Sequence, residues 1–254
     1  MDKERFDALC LQEQTADGGI GTLGEKRLHR VLKVYFEPRP ACREQPLAGY
    51  VADILNEEGV TEVQTRNYGA LRKKLAAFLP LMPVRVVCPL PARKWVSWVD
   101  PATGEVSRRH PSPKRGAPID AFYELVRIAP LLAHPNLTLH LLFFDADEYR
   151  VRDGWDKSGK RGSTRAELQP LALCAEQEVR GPAAYADLLP AGLPDPFTLP
   201  ELRAAARRSE TLCRRAVYTL EKAGALSRAG KRGRALLYRR TLPPEGRTPA
   251  AGRP

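Results

Sequence analysis

The sequence is poor in the residues that mark zinc-bound, secreted and membrane proteins. Its five cysteines are scattered singly, without a Cys-x-x-Cys pair, and it has only four histidines. This pattern offers neither a zinc site nor a disulfide framework, which suits a reducing compartment. No apolar run approaches the roughly 18 residues of a membrane helix, and the opening segment is too polar for a signal peptide. We therefore expect a soluble protein of the cytoplasm.

The excess of positive charge is concentrated near the C-terminus. The chain has 254 residues and a formal net charge of +11. Residues 197–254 contain 14 Lys and Arg against 4 Asp and Glu, whereas the preceding 196 residues contain 27 against 26. The length allows one large or two small domains. A module that binds a polyanion is therefore expected in the last quarter of the chain.

A short β-hairpin organises the first half of the chain. Two β-like runs, at about 50–55 and 60–65, flank a turn-forming set from Asn56 to Gly59. With Glu57 and Glu58 as the loop, the antiparallel register pairs position 53 with position 62. Because side chains alternate along a strand, position 64 shares the face of position 62.

Three polar side chains are therefore predicted to lie on one face of this hairpin: Asp53, Glu62 and Gln64. Two carboxylates opposite each other repel, and a divalent cation between them removes the repulsion. Carboxylate oxygens, water and substrate phosphate are the ligands that Mg²⁺ accepts, so Asp53 and Glu62 are candidate ligands for Mg²⁺ or Mn²⁺. The alternative is that both are solvated residues on the open face of an antiparallel pair.

The elements around the hairpin follow a definite order. Thr22 and Glu25 have capping-box spacing at the start of a helix, and a first strand is predicted at about 42–47. A second helix is predicted over about 68–79, and a buried strand over 84–88. The order is helix, three strands, helix, strand.

This arrangement resembles the PD-(D/E)xK nuclease superfamily. Asp53 matches the motif Asp, Glu62 the (D/E) and Gln64 the position that is usually Lys. Glu25 matches an acidic residue that many members carry on their first helix. The resemblance implies an α/β domain over residues 22–181, with a mixed central sheet and an αβββαβ core. It also implies hydrolysis of phosphodiester bonds, with Mg²⁺ on Asp53 and Glu62 and a water molecule oriented by Gln64.

Gln64 departs from the usual motif, because glutamine cannot supply a positive charge to the attacking water or the phosphate. Lys73 or Lys74 on the second helix could supply that charge. The simpler alternative keeps both lysines on a solvated helix face. Because of Gln64, a protein of another class is also consistent with the sequence: a DNA-binding transcription regulator with an inactive nuclease-like domain.

The C-terminal segment resembles a winged helix-turn-helix domain. After a Pro-rich linker at 182–196, two helices and a basic hairpin are predicted within residues 197–242. Residues 1–21 and 243–254 are predicted to be a flexible lead-in and a disordered tail. The resemblance places the second helix in the major groove of DNA and the hairpin on its backbone. The implied contact residues are Ser209, Thr211, Arg214, Arg215, Lys231, Arg232 and Arg234.

The two resemblances together predict a DNA-binding protein that is a Mg²⁺-dependent endonuclease acting on double-stranded DNA. The alternative to the endonuclease is a DNA-binding regulator without catalytic activity. The alternative to DNA binding by the C-terminal segment is a winged helix that packs against another protein. Formation of a homodimer is left open. The layout also resembles uncharacterised bacterial proteins of unknown function.

Overall fold

The computed structural model describes residues 1–16, 24–151 and 164–241, apart from the side chains of 14–16 and 24–26. The predicted cap at Thr22 and the side chain of Glu25 therefore lie outside the described part. The helices within it are α1 (Lys3–Ala16), α2 (Gly24–Phe36), α3 (Tyr68–Phe78), α4 (Phe122–Leu125), α5 (Leu199–Ala206) and α6 (Glu210–Lys222). The strands are β1 (Arg43–Leu47), β2 (Tyr50–Asn56), β3 (Gly59–Val63), β4 (Val84–Val99), β5 (His110–Pro111), β6 (Leu137–Val151), β7 (Thr164–Arg180), β8 (Phe197–Thr198), β9 (Leu226–Arg232) and β10 (Ala235–Arg240).

A large mixed sheet forms the body of the molecule, as the predicted α/β class requires. Its strand order is β1-β2-β3-β4-β6-β7, and β5 pairs with one end of β4. Strand β2 is antiparallel to both β1 and β3, whereas β3, β4 and β6 run parallel. Strand β7 returns antiparallel along β6.

Helices cover both faces of this sheet. On one face, α1 and α2 pack against strand residues that include Val63 and Val87. On the other face, α3 packs against residues that include Val60 and Val86. Because Val86 and Val87 are consecutive on a strand, they point to opposite faces, so α2 and α3 lie on opposite sides of the sheet.

The β2–β3 hairpin has the predicted turn and register. Asn56 pairs with Gly59 and Ile54 with Thr61, so Glu57 and Glu58 form the loop. Gly59 has φ +117°, and a Cβ there would lie 2.3 Å from the carbonyl oxygen of Pro83. A side chain at this position would therefore clash as well as strain the backbone.

Two predicted boundaries are wrong. The lead-in at 1–21 begins with helix α1, whose Phe6 and Cys10 are buried against the sheet. The strand predicted to end at Cys88 continues to Val99. Pairing with β3 ends at Val87, so a proline further along β4 removes no hydrogen bond to that neighbour.

The C-terminal segment is packed into the same core as the sheet. The two predicted helices are α5 and α6, and β8, β10 and β9 form a three-stranded sheet beside them. Leu212 and Cys213 of α6 belong to one continuous buried cluster with Phe122 of α4 and Leu71 of α3. The segment predicted as a linker, 182–196, contains a short 3-10 helix with buried side chains and is also part of this core.

Candidate functional site

Asp53 and Glu62 meet where strands β2 and β3 diverge. The β2–β3 ladder ends at the pair of Ile54 and Thr61. Beyond it, side-chain oxygens take the place of backbone acceptors. The amide of Val63 donates to Asp53 Oδ2 at 2.8 Å, and the amide of Asp53 donates to Glu62 Oε1 at 3.3 Å. The two carboxylates thus tie the strands together at the point where regular pairing stops.

Glu62 is buried and bonded to a lysine of α3. Lys74 Nζ lies 2.5 Å from Glu62 Oε2, and the Glu62 side chain is only 1% exposed. Burial and the neighbouring charge of Asp53 raise the pKa of Glu62 to about 7, against the lowering effect of Lys74. Glu62 is therefore a carboxyl group that can take up and release a proton near neutral pH.

Asp53 is turned towards α2. Its Oδ2 lies 3.2 Å from His29 Nε2. Burial alone would raise the pKa of Asp53, but the contact with His29 and the bond from the Val63 amide hold it below its ordinary value. The two carboxyl groups are thus pushed in opposite directions, a pattern common in catalytic pairs.

The prediction that both carboxylates share one open face is wrong in detail. Asp53 contacts His29 on α2, whereas Glu62 contacts Lys74 on α3, and these helices cover opposite faces of the sheet. The residues do converge on one point, because the ladder opens between them. Alternation of side chains across regular pairs does not extend past the end of the ladder.

Gln64 is directed away from this pair. Its side-chain amide donates to the carbonyl oxygen of Arg66, and its backbone amide donates to Val87 at 3.0 Å. Lys74, rather than Gln64, places a positive charge beside Glu62. Of the two lysines considered from the sequence, Lys73 is exposed and Lys74 is the one in contact.

The donor set does not fit a resident metal ion in this arrangement. Both oxygens of Glu62 already accept hydrogen bonds, and Asp53 Oδ2 is shared between a backbone amide and His29. In the described part of the chain, no three His, Cys, Asp or Glu side chains are grouped so that they could hold a metal together.

His29 and Lys33 were not identified from the sequence. They lie four residues apart on α2, so they share one helix face. Lys33 Nζ lies 2.6 Å from Glu44 Oε1 on β1, beside the contact of His29 with Asp53. The available signal was the spacing of four residues between His29 and Lys33 on an amphipathic helix, which also fits an ordinary solvated face.

The predicted contact residues of α6 have different environments. Ser209 caps the helix by accepting the amide of Leu212. Thr211 is exposed, and Arg214 is 68% exposed but paired with Glu210 at 2.6 Å. Arg215 is partly buried and donates to the carbonyl of Tyr123 at 3.2 Å. Arg215 thus joins α6 to the rest of the molecule instead of facing solvent freely.

The predicted wing is the β9–β10 hairpin, which has a two-residue tip. Arg232 pairs with Ala235, which leaves Gly233 and Arg234 as the loop. Lys231 and Arg234 are exposed, whereas Arg232 lies 2.7 Å from Glu201 of α5. Within the hairpin, Lys231 and Arg234 are thus better placed than Arg232 for contact with a polyanion.

The fold and the site define an α/β protein with paired ionisable side chains at the end of the β2–β3 ladder. One family model matches more than half of the chain. The family described as "Domain of unknown function (DUF8091)" matches residues 26–180, and this chain belongs to it. An uncharacterized protein of Treponema pallidum (strain Nichols) is 32% identical over 231 residues, covering 91% of each chain. No solved structure matches this chain. Among the described residues, none of the helices has the length and apolar character to span a membrane.

Proposed function

We propose that this protein binds double-stranded DNA through residues 197–241. The observation that carries the proposal is the concentration of positive charge, since residues 197–254 hold 14 of the 41 Lys and Arg and only 4 of the 30 Asp and Glu. Basic charge clustered on one module is the electrostatic signature of phosphate-backbone binding.

The order of elements supports a winged-helix type of contact. Helices α5 and α6 are followed by the β9–β10 hairpin, and β8 pairs with β10 from the other side. Thr211, Arg214 and Tyr218 lie at helical spacing on the exposed side of α6. In this proposal they face the major groove, and Lys231 and Arg234 contact the backbone.

Duplex binding is tested by fluorescence anisotropy at several salt concentrations. Lys231→Ala should weaken binding uniformly across sequences and lower the salt slope by about 1, because one phosphate contact is lost. Arg214→Ala should weaken binding and change the sequence preference. Arg72→Ala, which removes an exposed charge from α3, is the control. Equal losses for Arg72→Ala and Lys231→Ala would show that only net charge matters.

In this proposal the sheet domain is a nuclease-like scaffold without a resident metal site, and the protein acts as a DNA-binding regulator. Glu62 is bonded to Lys74, Asp53 is in contact with His29, and the side chain of Gln64 bonds to the Arg66 carbonyl instead of to either group. Separating one partner from a buried ion pair is costly, so a ligand that displaced Lys74 from Glu62 would have to offset that cost.

The Mg²⁺-dependent endonuclease is the second candidate, and the raised pKa of Glu62 favours it. A carboxyl group of pKa about 7 beside Lys74 and Asp53 is suited to moving a proton. This candidate requires a rearranged site, because Glu62 would have to release Lys74 before its oxygens could hold a divalent ion.

Plasmid cleavage in Mg²⁺ or Mn²⁺ separates the two candidates. A nuclease should cut, and Asp53→Asn should abolish cutting while duplex binding persists. Gln64→Lys should keep or increase the activity, because it restores the commoner motif residue. If neither the wild type nor Gln64→Lys cuts the plasmid, and neither metal raises the melting temperature, the endonuclease is excluded and the DNA-binding regulator remains the proposed function.

A further inference from the structure

A basic cleft opens between α5, the start of α6 and the first residues of β10. It has a volume of about 770 Å³, within the range of sites for small ligands. Five arginines line it: Arg203, Arg207, Arg208, Arg214 and Arg234. The one acidic residue in the lining is Glu210, so the charge of the cleft is strongly positive.

Two of these arginines are already engaged. Arg208 donates to both oxygens of Asp120, at 2.7 and 2.8 Å, and to the carbonyl of Arg115. Arg214 is paired with Glu210. Arg208 therefore fixes the turn between α5 and α6 to the rest of the molecule, which keeps the wall of the cleft in place.

The other three arginines form no ion pair with any described residue. Within the described ranges, the side chains of Arg203, Arg207 and Arg234 are exposed and form neither a hydrogen bond nor an ion pair. Like charges around one cleft repel, and a bound anion would relieve that repulsion. Arg207 also has φ 50°, a conformation that ordinarily favours glycine. An arginine thus occupies a position where the backbone conformation favours glycine.

Most of the remaining lining is apolar. It includes Leu199, Ala204, Leu236 and Tyr238. A phosphate within a duplex makes no contact that requires an apolar surface. An unpaired base, in contrast, gains free energy by stacking on one. A terminal phosphate also carries more negative charge than an internal diester, and arginine binds phosphate oxygens in a bidentate manner.

We propose that this cleft binds a nucleotide with a terminal phosphate. The phosphate contacts Arg203, Arg207 and Arg234, and the base packs on the apolar lining around Leu236. The ligand is the phosphorylated end of a nucleic-acid strand or a free nucleotide, which share this chemistry. The inference adds a ligand to the module proposed above to bind duplex DNA, and it does not depend on cleavage.

Calorimetric titration of the full chain with a 5′-phosphorylated thymidine dinucleotide tests the proposal. The same dinucleotide without its phosphate should bind at least tenfold more weakly, and inorganic phosphate should also bind more weakly. Thymidine 5′-monophosphate distinguishes the sources: equal affinity identifies a free nucleotide, and lower affinity identifies a strand end. Equal affinity for inorganic phosphate and the dinucleotide, or no binding of the dinucleotide, would overturn the proposal.

Two variants and a control locate the site. Arg207→Gly should fold at least as well as the wild type, because glycine adopts positive φ freely, yet lose at least tenfold in affinity. Arg234→Ala should reduce the affinity for the dinucleotide by a similar factor. Arg239→Ala removes an exposed charge of β10 outside the cleft and should stay within twofold. Unchanged binding by Arg207→Gly would refute the site. Binding to covalently closed duplex, measured in parallel, tests the proposed function separately.

Discussion

At the scale of single residues, Glu62 is the most informative group in the molecule. It is buried at the end of the β2–β3 ladder, and its pKa is raised to about 7 by burial and by Asp53. Asp53 has a pKa below its ordinary value, because His29 and the Val63 amide outweigh its burial. The pair therefore affects stability in two separate pH ranges.

The first prediction concerns Glu62→Gln. Because the folded-state pKa exceeds the ordinary value of 4.5, the wild type loses stability as pH rises from about 4.5 to about 7. The variant cannot titrate there, so the difference between the two proteins should change by on the order of 3 kcal/mol over this range. Urea unfolding at pH 4.5 and pH 8 measures it. Exposed Glu58→Gln is the control, and an equal pH dependence in both variants would contradict the burial argument.

The second prediction compares two neighbouring lysines. Lys74→Ala leaves Glu62 without its countercharge and should lower the free energy of unfolding by about 2 kcal/mol at pH 8. The loss should shrink at pH 5, where Glu62 is protonated. Lys73→Ala should stay within about 0.5 kcal/mol, because Lys73 is exposed. A similar loss in both variants would indicate a helix effect instead of the ion pair.

The sequence predicted the position of the acidic pair and named Lys74 as one of two candidate lysines beside it, but it did not identify His29. The turn at Glu57 and Glu58 fixed the register, because hairpin loops determine which residues pair. The contacts of His29 and Lys74 depend on how two helices cross the sheet. Side-chain periodicity defines a polar helix face without specifying which acidic residue lies under it.

At the scale of secondary-structure elements, two glycines allow the cost of backbone strain to be distinguished from the cost of a steric clash. Gly59 has φ +117° and a Cβ there would lie 2.3 Å from the Pro83 carbonyl oxygen, whereas Gly49 has φ +78° and open space around it. Both lie in hairpin turns of the same sheet.

The third prediction is that Gly59→Ala destabilises the protein far more than Gly49→Ala. Strain at positive φ costs about 1 kcal/mol in each variant. Only Gly59→Ala must also push β3 away from the start of β4, so we expect a total loss of at least about 3 kcal/mol. Thermal unfolding followed by circular dichroism measures both. Equal losses would mean that the contact with Pro83 relaxes at little cost.

Elements with strong local signals were predicted well, and those set by tertiary packing were not. Helix α3 buries Leu71, Leu75 and Phe78 as the apolar spacing predicts. Helix α1 buries Phe6 and Cys10, four residues apart, a signal too sparse to identify a packed helix. The length of β4 depends on its pairing with β6, which local sequence does not reveal.

At the scale of the whole molecule, the C-terminal segment is not an appendage. Leu212, Ala216 and Leu220 of α6 are fully buried in the cluster that also contains Phe122 and Leu125. The bidentate contact of Arg208 with Asp120 joins the same two parts. A local charge count located a basic module, but it could not show that the module shares its core with the sheet.

The fourth prediction uses the tryptophans as reporters. Trp95 and Trp98 lie on β4, and the sequence has no tryptophan after residue 155. Tryptophan fluorescence therefore reports on the part of the chain that precedes the C-terminal segment. Leu212→Ala removes a buried side chain from α6 and should cost about 2–5 kcal/mol. Because the core is continuous, the fluorescence-detected melting temperature should fall together with that of helical circular dichroism. A lower helical transition with an unchanged tryptophan transition would show instead that the C-terminal segment unfolds alone, as the linker prediction implied.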